Sequence, residues 1–369
     1  MRRALPPLWL ATPSRYATAS PGQARLILAA LAGLLLVTLF ALVTPDPTAA
    51  GPSSGTDGTD VALYAAITDG VRAGGNYYAV TAQELRTGNY PLHPFVTFRL
   101  PTLAVMQAIL PVWATAALLY ALAAGLLLAW YVRLQYALRR PIAVTVALML
   151  LAAGSIACWQ VELTGFHEIW AGSLIALSLA RYRSDRWAEA VGWGLAAILI
   201  RETATLYVIV MAVLAWRDGD RRQALAWAAA LGVLALVMVA HAHAVAAVVR
   251  PLDPASPGWA GMLGPGFVVR TAQASTALTL LPLAIAAPLV GLAWFGWTAW
   301  ASPVATRGAA TIAAYALLLA VAGRLDTFYW GLLIAPILLL GLAFAPDGLR
   351  DLASAALDRR RIVVRRVVS

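Results

Sequence analysis

The sequence predicts an all-α polytopic membrane protein: about ten transmembrane helices, several of them short, and an outer loop of amphipathic surface helices. Three observations carry that reading. Of 369 residues 61% are hydrophobic and 12% charged, whereas soluble domains average about 25% charged; the mean hydropathy is +0.76. The apolar residues fall into runs separated by short charged segments. The charges are also sorted: with the N-terminus placed inside and the runs alternating, 20 of the 27 basic residues fall on one side and ten of the 17 acids on the other, the asymmetry expected when arginines collect on the cytoplasmic side. The net charge of +10 is explained by this sorting, and no nucleic-acid-binding motif accompanies it.

Residues 1–25 read as a basic cytoplasmic N-terminus, with Arg2, Arg3, Arg15 and Arg25. The run 26–43 is long for a signal-peptide core and adequate for a retained first membrane helix. Residues 44–102 form a long periplasmic loop, 103–345 a bundle of about nine helices, and 346–369 a basic cytoplasmic tail suited to anionic headgroups. Within the bundle the spans are 103–130, 142–159, 169–180, 187–200, 203–216, 224–248, 277–300, 308–323 and 331–345.

The pair Arg201-Glu202 tests this topology. "RYRSDR" (181–186) and "RDGDRR" (217–222) are both basic, so the chain between them crosses an even number of times. It therefore turns at Arg201-Glu202, and arms of about 20 Å place that turn in a protein-lined recess. "CWQVELTGFHEIW" (158–170) repeats the pattern, which sets Glu162, His167 and Glu168 level with Arg201 and Glu202.

The outer loop starts with the Pro-, Gly- and Ser-rich stretch 44–60. Two amphipathic pieces follow, "DVALYAAITDGVRAG" and "NYYAVTAQELRTG", whose apolar residues recur near helical spacing. Prolines 91, 94 and 101 then force an extended approach to the second span. An arginine-flanked first span, "DVALY" (60–64), "YYAVTAQELRTGNYP" and many short spans together resemble the GT-C superfamily of membrane glycosyltransferases, such as protein O-mannosyltransferases and aminoarabinose transferases. The motifs cover the first hundred residues or so, and the span pattern covers the rest. Those families carry a second acid beside the first, whereas Val61 follows Asp60 here and Gly74 stands where a later acid would fall.

The resemblance implies transfer of a sugar from a polyprenyl phosphate to an acceptor at the periplasmic face of a bacterial inner membrane. An acid would serve as base, with Asp60 and Asp69 both open. The candidates for binding phosphate or substrate are Tyr78, Arg99, Glu162, His167, Glu168, Arg201, Glu202, Arg270 and Arg324. The expected partners are a polyprenyl-phosphate sugar lipid, an unidentified acceptor and membrane lipids. No cofactor is assigned, and the need for a divalent cation is left open. No metal site is read: the chain has one cysteine, and His241 and His243 lie about 200° apart on a helix. A transporter or flippase of a lipid-linked or anionic solute is the alternative, since broken helices and recessed charges suit that class too. A non-catalytic assembly subunit is a third.

Overall fold

A computed structural model describes residues 6–48 and 60–358; residues 49–59 of the Pro-, Gly- and Ser-rich stretch 44–60 and the arginines of 359–369 lie outside them. The described residues are helical, with isolated bridges and no strand. Helix α1 (Pro21–Thr38) starts at a Ser20–Gln23 capping box and continues as a 3₁₀ turn to Val43. The loop contributes α2 (Asp60–Arg72) and α3 (Tyr77–Thr87), the latter capped by Asn76. Next come α4 (Thr102–Ile109), α5 (Val112–Ala137), α6 (Pro141–Gly154), α7 (His167–Arg181), α8 (Ala188–Ile200), α9 (Thr205–Arg217) and α10 (Arg221–Ala246). The chain closes with α11 (Gly264–Ala274), α12 (Leu283–Ala299), α13 (Pro303–Ala322), the short α14 (Ala335–Leu338) and α15 (Ala345–Ala356).

Four helical segments are long and apolar enough to cross a bilayer: Pro21–Val43, Val112–Ala137, Arg221–Ala246 and Pro303–Ala322. A fifth candidate is the pair Leu325–Leu333 and Ala335–Ala343, bent by 58°. Four to five candidate spans therefore stand where the sequence predicts ten, and the other predicted spans are helices of 13 to 17 residues. The predicted span 103–130 is two helices. Pro111 offers no N–H and pushes Leu110 to an extended ψ of 147°, which ends α4 at Ile109. The segment after α10 ends in α11, and the predicted tail begins with α15, which packs on α1 and α12.

Helix α7 is the centre of the bundle. Every residue from His167 to Ala180 is buried, as expected of a helix with no polar face. The turn at Arg201 is real. A Cβ built on Gly194 would lie 3.5 Å from the ring of Tyr207, whereas a straight helix would hold residues so spaced about 20 Å apart. Arg201 is extended (φ −141°, ψ 112°) and a 3₁₀ turn, Glu202–Ala204, leads into α9. Backbones also cross closely between α12 and the bent segment: a Cβ on Gly296 would fall 1.8 Å from the Gly341 carbonyl oxygen, the small-residue contact common between membrane helices.

All six segments predicted to be cytoplasmic meet at one end. Arg139 N–H donates to the Trp9 carbonyl (2.6 Å), and Arg15 reaches Thr306 (2.9 Å). Arg133 donates to the carbonyls of Ala180 and Tyr182, Tyr182 donates to Gln223, and Arg307 pairs with Asp218 at 2.7 Å. The fully buried carboxylate of Asp347 accepts from the N–H groups of Leu8, Trp9 and Leu10 at 2.6–2.9 Å. Asp351 takes the Ser14 hydroxyl at 2.7 Å, so α15 holds residues 8–14 across this end as a strap.

Asp347→Ala removes the acceptor of three backbone donors, each costly to leave unpaired. The expected result is a loss of about 1–3 kcal/mol and early proteolytic cleavage within residues 6–16. Arg186→Ala, at an exposed position (78%), should change neither. Thermal melts and limited proteolysis in detergent check this.

Candidate functional site

The opposite end is hollow. Helices α2, α3 and α4, the start of α7, the segment from Pro254 to Trp259 and the turn from Arg324 to Tyr329 enclose a cavity of about 620 Å³. The apolar faces predicted on α2 and α3 pack inward: Tyr64, Ile67, Tyr77, Ala82 and Leu85 are buried. Their polar groups then line the space. The predicted residues Asp60, Arg99, His167 and Arg324 all face this one cavity.

Asp60 opens α2, and its carboxylate accepts a hydrogen bond from the Tyr90 hydroxyl at 3.0 Å. Burial pushes its pKa above the usual 3.8; the Tyr90 bond and the nearby Arg99 charge pull the other way without cancelling that effect. Arg99 sits between two tyrosines. Its Nε donates to Tyr64 Oη (3.1 Å) and one Nη to Tyr329 Oη (3.0 Å). Its guanidinium carbon lies 5.8 Å from the Tyr329 ring centroid, and Tyr77 fixes the backbone by donating to the Arg99 carbonyl at 2.7 Å. Among the described residues no carboxylate comes within ion-pair distance of Arg99. It is a cation in a cavity with no directly paired carboxylate among the described residues, and its forked donors suit phosphate.

His167 borders the cavity at 3% exposure, its ring 5.5 Å from that of Tyr64. Neither ring nitrogen completes a hydrogen bond of ordinary geometry, although the Leu100 backbone is near. Arg324 is already matched: it pairs with Asp326 at 2.5 Å and donates to Ser256 Oγ and the Gly258 carbonyl.

The other candidates lie elsewhere. Arg201 is 1% exposed and binds Glu168 (2.5 Å) and Glu202. The triad ties the α8–α9 turn to the start of α7, which sets these residues level as the sequence predicts. With both neighbours carboxylates, Arg201 is a structural ion pair and not a free phosphate ligand. Asp69 pairs with Arg72 at 2.5 Å and is 70% exposed, away from the cavity, because helical spacing turns it from the face that carries Tyr64 and Ile67. Arg270 reaches Asp46 (3.4 Å) and the Ala41 carbonyl, tying α11 to the end of the first span. Tyr78 meets His241 at 3.2 Å, joining α3 to α10. Glu162 is exposed in a 3₁₀ turn. Among the described residues no group of three His, Cys, Asp or Glu side chains is gathered closely enough to hold a metal ion.

Sequence reasoning passed over Tyr90, Tyr64 and Tyr329, which orient Asp60 and Arg99. Tyr90 follows "TGN" in a loop, and its partner lies thirty residues back, a separation without periodic signal. Asp253 was also missed. It holds Arg86 through two hydrogen bonds (2.8 and 2.7 Å) that pull its carboxyl well below the usual range.

The triad has a measurable signature. Arg201→Met leaves Glu168 buried without its partner and should cost about 3–5 kcal/mol. Adding Glu168→Leu and Glu202→Leu should recover much of that loss in thermal melts. Breaking the exposed pair Arg183–Asp185 (55% and 58% exposed) should cost under about 1 kcal/mol.

Comparison with protein-family models, with curated proteins and with solved structures finds no match to this chain.

Proposed function

We propose that this protein is a membrane glycosyltransferase that moves a sugar from a polyprenyl phosphate to an acceptor hydroxyl at its hollow end. On this reading the strapped, arginine-rich end faces the cytoplasm of a bacterial inner membrane. The observation that carries the proposal is the pairing within one cavity of a carboxylate of raised pKa, Asp60, with a carboxylate-free guanidinium, Arg99.

The chemistry follows from those two groups. Asp60 takes the proton of the acceptor hydroxyl as that oxygen bonds to the anomeric carbon. The bond from that carbon to the phosphate oxygen breaks, and the electron pair leaves with the polyprenyl phosphate. Arg99 offsets the charge gathering on the phosphate through fixed donors. A raised pKa makes Asp60 a stronger base once ionised, while the Tyr90 hydrogen bond favours the ionised form.

Three variants test the reading in proteoliposomes supplied with polyprenyl-phosphate sugars and acceptor extract. Asp60→Asn should slow transfer by about 100- to 10,000-fold, the usual worth of a general base. Arg99→Ala should slow it by about 100-fold or more, and Asp69→Ala should leave it near wild type. Unchanged transfer in Asp60→Asn would sink the mechanism.

The pH profile gives a fourth test. Asp60 works ionised, and its pKa is raised, so the acid limb of the rate should sit above that of an ordinary carboxylate. Tyr90→Phe removes a bond that favours the ionised form, so the limb should move to higher pH still. A downward shift in the rate profile would contradict the assignment of Asp60.

A further inference from the structure

The cavity has a wall that the base and the guanidinium do not explain. Between α10 and α11 the chain runs without helix, and Pro254, Ser256 and Trp259 of this segment line the cavity. The segment is fastened along its length. Asp253 is held by Arg86 at 2.7 Å, Leu92 N–H donates to the Pro254 carbonyl (2.8 Å), and Ser256 N–H donates to the His93 carbonyl (2.7 Å). Arg324 holds Ser256 and the Gly258 carbonyl, and Met262 N–H donates to the Val321 carbonyl at 3.0 Å. Gly258, at φ +94°, makes the left-handed turn just before Trp259, a conformation that favours glycine.

Trp259 is thus a large aromatic side chain on a pinned segment. It is 36% exposed and makes no ring–ring contact among the described residues. Trp130, Trp227 and Trp297 are by contrast fully buried against other rings, whereas Trp113, Trp159 and Trp216 are exposed but do not line this cavity. The cavity that Trp259 lines is also lined by the polar side chains of Asp60, Asn89, Tyr90, Ser256, Arg324 and Asp326. An aromatic ring sharing a cavity with donors and acceptors is complementary to a flat ring with polarised C–H bonds on one face and hydroxyls round its edge. A pyranose has that form. A lipid chain would not use the polar groups, and a bare phosphate would not use the indole.

We propose that Trp259 is the stacking platform of a pyranose-binding subsite, with its polar partners drawn from those six side chains. The subsite rests on the reading of the cavity as a glycosyl-transfer site, and its test separates the two. Purified protein in nanodiscs is titrated with undecaprenyl phosphate, with its mannose ester, and with a panel of methyl pyranosides. Trp259→Ala should weaken at least one sugar-bearing probe by about tenfold and leave undecaprenyl phosphate unchanged, with Trp259→Phe recovering most of the affinity. Weakening of the ester relative to the bare phosphate puts the donor sugar on Trp259. Weakening of the pyranosides with the ester untouched puts the acceptor there. Equal loss of all probes, including the bare phosphate, would show that Trp259 only holds the segment in place, and no loss of any would remove it from binding; both overturn the subsite. Failure of undecaprenyl phosphate to bind wild-type protein would overturn the lipid donor, while a Trp259-dependent pyranoside would still uphold the subsite.

Discussion

The ion triad of Glu168, Arg201 and Glu202 is the constraint from which the hollow end follows. A charge as buried as Arg201 persists in a dry interior only beside its counter-charges. Arg201 is extended at the tip of the α8–α9 turn, while Glu168 lies in the first turn of α7. Joining them ends three helices at one depth. The helices stop short because the pair must be met there, and a bundle whose central helices stop short leaves space above them. The tyrosines and charges of α2, the 95–101 segment and the 324–329 turn occupy the rim of that space.

The two ends of the molecule are built on opposite principles. At the strapped end several charges find partners in another segment: Asp347 with the backbone of residues 8–10, Asp351 with Ser14, Arg307 with Asp218 and the Tyr182 ring. That satisfaction closes the end and adds rigidity where nothing need enter. At the hollow end Arg99 is held by hydroxyls rather than by a carboxylate, and His167 is buried without a completed hydrogen bond. A buried imidazole without a hydrogen-bond partner costs stability, and His167 carries that cost where it borders the cavity.

Much of this was legible in the sequence, for identifiable reasons. Arginine placement sorts the loops into two groups, so the grouping of six segments at one end and the reversal at Arg201 could be read without any tertiary information. The helices of the loop followed from apolar spacing in "DVALYAAITDGVRAG". Crossing the membrane was less legible, because hydropathy cannot distinguish a full span from a short apolar helix of 13 or 15 residues such as α8 or the buried α7. Proline at 111 could have warned that 103–130 would break, yet its neighbours are apolar enough to mask it. The cavity was half visible. Asp60, Arg99, His167 and Arg324 announce themselves as ionisable residues near apolar runs. Tyr90, Tyr329 and Trp259 act only through distant contacts, and those are set by packing rather than by pattern.

Charge balance round the cavity connects the proposed chemistry to the fold. Arg99 and Arg201 are together offset by Glu168 and Glu202, all four within electrostatic reach of one another. That leaves Asp60 facing a nearly neutral surrounding, where burial rather than a neighbouring charge dominates its ionisation. A phosphodiester bound at Arg99 would add a negative charge near Asp60 and raise its pKa further. The base would thus strengthen only when the donor is in place. As the phosphate departs with an added negative charge, the same coupling would favour the proton staying on Asp60. On the proposed reading, the missing carboxylate beside Arg99 is what makes this coupling effective, since a built-in counter-charge would fix the field whether or not a donor were bound.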